Sequence, residues 1–171
     1  MTGPQTVSSS SELEINQIGS VSTEIELPTL AVTQKLLSIW EDANGLSGQL
    51  PHKSAFGVSA LGDATPFVYI LERIKGGDDF RVKFMGSSIT QSIGADYTGA
   101  IVGDHPNHPS SWRADIYRMV IARREPVFTA VNLGDFERDY TKTECVLLPV
   151  SGDTGDVAWV VCAAAPYSNQ D

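Results

Sequence analysis

Two neighbouring stretches of this chain carry strand-like patterning of different kinds. Residues 67–74 form an apolar run rich in aromatic and β-branched side chains, whereas residues 80–84 alternate, with Phe80, Val82 and Phe84 on one face and Arg81 and Lys83 on the other. Both read as strands, the second half-buried. Lys75-Gly76-Gly77-Asp78 between them supplies the positive-φ positions of a short hairpin, so the pair is expected to run antiparallel at one edge of a sheet. Downstream, Gly86-Ser87-Ser88 offers a hydroxyl cap, Ile89 and Ile93 lie one turn apart, and Gly94 provides a stop, which predicts a helix of about two turns.

Helical spacing appears in two further places. Val32, Leu36, Ile39, Trp40 and Ala43, followed by Asn44-Gly45, predict an amphipathic helix over residues 29–45. Its apolar stripe must pack either on the domain's own sheet or on the same helix of a second copy. Trp112, Ile116, Met119 and Val120 predict the other, expected to be the longest in the chain, with Arg123 and Arg124 at its C-terminal dipole and Glu125-Pro126 as its end. Residues 46–66 read as a connector anchored by Leu50, Phe56, Val58 and Leu61. Asp96-Tyr97-Thr98-Gly99 reads as a turn, and His105-Pro106-Asn107-His108-Pro109 as a stiff loop. Residues 127–133, 140–150 and 157–165 are three strands of a meander joined by polar tips.

Helix, two strands, middle helices and three strands make an α+β domain with a five-stranded antiparallel sheet. Strands from both ends of this order must share the sheet, so the middle helices cover one face and the N-terminal helix is free to cover the other. The 171 residues suit one domain, and 42% hydrophobic residues suffice for a core. Twelve Lys and Arg against 21 Asp and Glu give a net charge of −9, which disfavours nucleic acid and acidic lipid as partners. No apolar stretch approaches the roughly 18 to 20 residues of a membrane span, and no secretion signal is visible, so a cytoplasmic location is expected. Residues 1–28, rich in Ser, Thr and Glu, are expected to be a disordered acidic tail, and residues 167–171 a short tail after a core at 67–166. Cys145 and Cys162 fall inside predicted strands and read as buried thiols.

Six stretches in this order resemble a PAS domain, and in particular the single-domain alphaproteobacterial PAS family once filed as a domain of unknown function. They are Leu36-Leu37-Ser38-Ile39-Trp40, Pro66-Phe67-Val68-Tyr69-Ile70-Leu71-Glu72, Phe80-Arg81-Val82-Lys83-Phe84-Met85-Gly86, Ile93-Gly94-Ala95-Asp96-Tyr97-Thr98-Gly99, Glu125-Pro126-Val127-Phe128 and Glu144-Cys145-Val146-Leu147-Leu148-Pro149-Val150. The arginine expected after the first helix in that family is absent, since Asn44-Gly45-Leu46 stands there. The resemblance implies a sensory or interaction module, not an enzyme: a five-stranded sheet with helices over one face, enclosing a pocket whose contents bias a partner or a dimer interface. No catalytic triad, phosphate-binding Gly loop or paired-carboxylate motif can be read in the sequence.

A pocket of this kind would be walled by the inner sheet face and the middle helices, and the expected lining is Tyr69, Val82, Phe84, Ile89, Ile93, Trp112, Ile116, Val146 and Val161. The same residues can equally fill a packed core. Bound cofactor is not expected: His105 and His108 lie in a polar loop without a third ligand, which does not support a metal or haem, and the Asn-Cys-Arg setting of flavin light sensors is missing. The residues from Asp135 to Lys142 make a charge-dense hairpin tip that reads as a solvated turn, with an ion-pairing docking surface as the alternative. Glu144 shares a strand face with Val146 and Leu148, so it needs a partner if that face points inward, and Arg81 is the candidate; an exposed strand carboxylate is the other reading. The leading expectation is a signalling or regulatory module that acts on a protein partner in trans and self-associates as a homodimer through Val32, Leu36, Ile39 and Trp40. A small-molecule or cofactor sensor is the alternative, and an enzyme on a cone-shaped α+β fold the third reading.

Overall fold

The computed structural model describes residues 12–15, 20–44, 49–74, 76, 79–104, 114–132 and 142–167. One antiparallel sheet organises them. Its strands are β1 (Glu12–Ile15), β2 (Ser20–Ile25), β3 (Val68–Ile74), β4 (Asp79–Met85), β5 (Val127–Asn132), β6 (Lys142–Ser151) and β7 (Val157–Pro166), in the order β1-β2-β5-β6-β7-β3-β4. The five strands from β3 to β7 are those expected from the sequence. β1 and β2 correct the expectation of a disordered tail for residues 12–15 and 20–25. β5 would otherwise present an unpaired edge, and β2 covers it from Val21↔Asn132 to Ile25↔Phe128, with Arg123 Nη1 donating to Glu24 Oε2 at 2.7 Å.

Among the described residues, four α-helices accompany the sheet: α1 (Ala31–Asn44), α2 (Val58–Leu61), α3 (Ser87–Ile93) and α4 (Ala114–Arg123). The 14-residue α1, not the 10-residue α4, is the longest of them. α3 and α4 close one face over Tyr69, Leu71, Phe80, Val82, Leu147, Val160 and Cys162, where Phe80 and Tyr117 meet edge-on at 5.5 Å. α1 closes the other over Val68, Ile70, Val146, Leu148, Val161 and Ala163. Leu36 has no exposed surface, and the indole Nε1 of Trp40 donates to the Pro149 carbonyl at 2.8 Å, while Val32 and Ile39 pack at the margin. The apolar stripe of α1 is therefore spent on the protein's own sheet, which corrects the expectation that Val32, Leu36, Ile39 and Trp40 form a dimer face.

The segment before β3 is more ordered than a connector: a 3-10 turn at Lys53–Phe56, α2, and a second 3-10 turn at Gly62–Phe67 bury Phe56, Leu61 and Ala64, whereas Val58 is exposed. Gly86 lies where this segment crosses the end of β4, and a Cβ there would fall 2.4 Å from the carbonyl oxygens of Thr65 and Pro66. Gly86 itself precedes α3 without a side-chain cap, so the hydroxyls of Ser87 and Ser88 are not used as expected, while Gly94 ends the helix at φ +93° as the sequence predicts. Asp96 accepts from the Thr98 N–H and hydroxyl, which forms the expected turn.

Candidate functional site

The strand face that carries Glu144 decides where its carboxylate goes. On β6 it stands opposite Ala130 of β5 and Ala165 of β7, two small neighbours, and it points with Val146 and Leu148 toward α1. It has no exposed surface. A bare carboxylate in such a place would cost several kcal/mol or take up a proton. Instead it meets the start of α1. The Thr29 N–H spans both oxygens at 2.9 and 3.0 Å, the Thr29 hydroxyl donates to Oε1 at 2.7 Å, and the Leu30 N–H donates to Oε2 at 3.0 Å. The Thr33 hydroxyl also donates to Oε2. From the other end of the chain, the Tyr167 hydroxyl donates to Oε1 at 2.9 Å.

These donors explain why sequence produces the junction. A helix begins with N–H groups that have no intrahelical acceptor, and its dipole favours a negative charge there. Thr29 and Thr33 add hydroxyls one turn apart, so a carboxylate brought up from the sheet caps α1 from outside the helix. The cap satisfies both sides at once. Burial pushes the Glu144 carboxyl up, but the Thr33 hydroxyl, the Leu30 N–H and the Thr29 donors outweigh it and hold the group below the usual carboxylate range. Tyr167 moves the opposite way: burial and its bond to the neighbouring anion raise the phenol above its ordinary value. The Tyr167 N–H donates to the Lys142 carbonyl at 2.8 Å, and the Lys142 ammonium lies 5.5 Å from the centre of the Tyr167 ring.

Arg81 is not the partner of Glu144. It is exposed on β4, paired across from Glu72, and β7 and β3 stand between β4 and β6. Three strand spacings amount to about 14 Å, beyond the reach of an ion pair. Thr29, Leu30, Thr33 and Tyr167 were missed in the sequence; the available signal was the pair of threonines at the start of an amphipathic helix.

The residues expected to line a pocket divide between the two faces. Tyr69, Val82, Ile89 and Ile116 are buried together beneath α3 and α4, with Ile93 packed against them. Val146 and Val161 are on the opposite face beneath α1, and Phe84 packs against that cluster. Cys145, Leu147, Val160 and Cys162 occupy the inner face in their place, and both cysteines are free, buried thiols. Trp112, His105, His108 and residues 135–141 of the charged tip lie outside the described residues, and Lys142 is exposed.

No protein-family model and no curated protein matches the chain. Solved structures do. One is a light-oxygen-voltage domain studied with a flavin analogue, 12% identical, covering 66% of this chain and 85% of that one, with a TM-score of 0.48. Another is an RNA-binding light-oxygen-voltage receptor, 17% identical, covering 88% of this chain and 39% of that one, with a TM-score of 0.44. The strand order β5-β6-β7-β3-β4, with α3 and α4 folded over one face, makes the fold of this chain PAS-like.

Proposed function

We propose that the protein is a signalling or regulatory module that acts on a partner protein in trans, with α1 as the element through which it does so. One observation supports the reading. Among the described residues α1 is the longest helix, and its first turn is fastened to the sheet by the Glu144 carboxylate, a polar junction set at the edge of an apolar contact. A helix held in this way has two defined states, docked and released, and a partner that favours one of them reads the other. The outward face of α1, with Gln34, Ser38 and Glu41 exposed, is accessible in the docked state.

A photo-crosslinking amino acid placed at Gln34, Ser38 or Glu41 tests this in the cells that make the protein. The expected result is a discrete adduct with one protein, identified by mass spectrometry and lost when the same group is placed at Asp115 on the exposed side of α4. Adducts only within the chain at all three α1 positions would overturn the proposal.

A further inference from the structure

Among the described residues, Glu144 is the one charged side chain without exposed surface, and its donors come from two segments far apart in the chain, the start of α1 and the residue after β7. Thr29, Leu30 and Thr33 precede it by 115, 114 and 111 residues, and Tyr167 follows it by 23. The two sets share one carboxylate, and Oε1 receives from both Thr29 and Tyr167. Tyr167 also covers the site: it is half-buried and extends the β6–β7 ladder one residue beyond the Thr143↔Pro166 pair. We propose that Glu144 makes the docking of α1 and the docking of the segment at Tyr167 mutually dependent, so that an event at either segment loosens the other.

The physics runs in both directions. When the Tyr167 segment leaves, water reaches the carboxylate, the local dielectric rises, and each remaining bond to Thr29, Leu30 and Thr33 weakens. When the first turn of α1 leaves, the carboxylate keeps only the Tyr167 hydroxyl and is drawn to solvent, which removes the anchor of that hydroxyl. Because the coupling is a free energy between two docking equilibria, its size is the same read from either end. This inference rests on reading α1 as the output element, and it names what controls that element.

Residue-resolved amide exchange on the full chain tests it. In Tyr167→Phe, which removes a hydroxyl at the far end, the amides of Leu36 to Trp40 are expected to exchange roughly fivefold faster or more, the lower end of typical coupling between sites. In Thr33→Val, the Tyr167 amide is expected to accelerate by a similar factor, and Thr33→Ser is expected to restore it. Amides of β3 and β7 should keep wild-type protection in all three, which shows that the core remains folded. Unchanged α1 exchange in Tyr167→Phe, or an unchanged Tyr167 amide in Thr33→Val, would overturn the coupling. The crosslinking result at α1 stands or falls separately, so loss of the coupling and loss of the output role are distinguishable.

Discussion

Glu144→Gln keeps the length of the side chain and replaces one acceptor oxygen with a donor. With the amide nitrogen in place of Oε2, the Leu30 N–H is left without its acceptor, while the Thr29 N–H keeps Oε1 and the Thr33 hydroxyl keeps the Leu30 carbonyl at 3.0 Å. Charge-assisted bonds are the stronger kind, and an orphaned buried donor is costly, so a loss of about 3 kcal/mol of unfolding free energy in denaturant titration is expected at pH 7. A variant within 0.5 kcal/mol of wild type would mean that water takes the place of the lost acceptor at little cost. The pH dependence has a definite sign. The folded-state value of Glu144 is depressed, so its contribution is fully present above the ordinary carboxylate value of about 4.3 and is lost as pH falls through the lower folded value. The gap between wild type and Glu144→Gln should therefore close on acidification below about pH 4, and a gap that stays constant to pH 2 would contradict the assignment.

At the scale of elements, β2 makes the first claim that differs from the sequence pattern. Deleting residues 1–25 would remove the pairing with β5, the Glu24–Arg123 ion pair and the packing of Ile25 against the face beneath α1. A fall in Tm of roughly 3 to 6 °C is expected, corresponding to one or two kcal/mol in a chain of this size. A change under about 1 °C would show that the strands add nothing. How far the elements were legible follows from their surroundings. The hairpin and the meander announce themselves through apolar runs bounded by polar turns, and α1 because one of its faces meets water. β6 from Glu144 to Ser151 is buried on both faces, so nothing alternates and nothing says which side Val146 shares with α1. β4 misleads for another reason: the ladder with β3 slips between Ile70 and Leu71, and two residues of β4 answer one step of β3. This bulge turns Phe84 away from Phe80 and Val82 and brings Met85 inward. The Glu144 junction was half legible, as a carboxylate on an apolar face. Its donors at Thr29, Leu30 and Thr33 lie more than a hundred residues away in the chain and Tyr167 lies 23 away, so nothing next to Glu144 in the sequence marks them.

Across the whole molecule, the sheet separates two cores of different character. The one beneath α3 and α4 is closed by side chains from successive strands and by helices inserted between them, so opening it would disturb the sheet. The one beneath α1 is closed by an element that precedes the five-stranded unit and is fastened at its first turn, which makes it the part able to leave while the rest stays folded. Trypsin reads this difference directly, because Lys35 is exposed within α1 while Arg81 and Lys83 are exposed on β4. The most direct measurement is the rate of tryptic cleavage after Lys35 in wild type and in Glu144→Gln, followed by mass spectrometry at pH 7.5. The expected result is cleavage at Lys35 about tenfold faster or more in the variant, with Arg81 and Lys83 as slow as in wild type, as local release of α1 requires. Equal rates at Lys35 in the two proteins, or faster cleavage at all three positions together, would contradict a helix held to the sheet by Glu144 and released on its own.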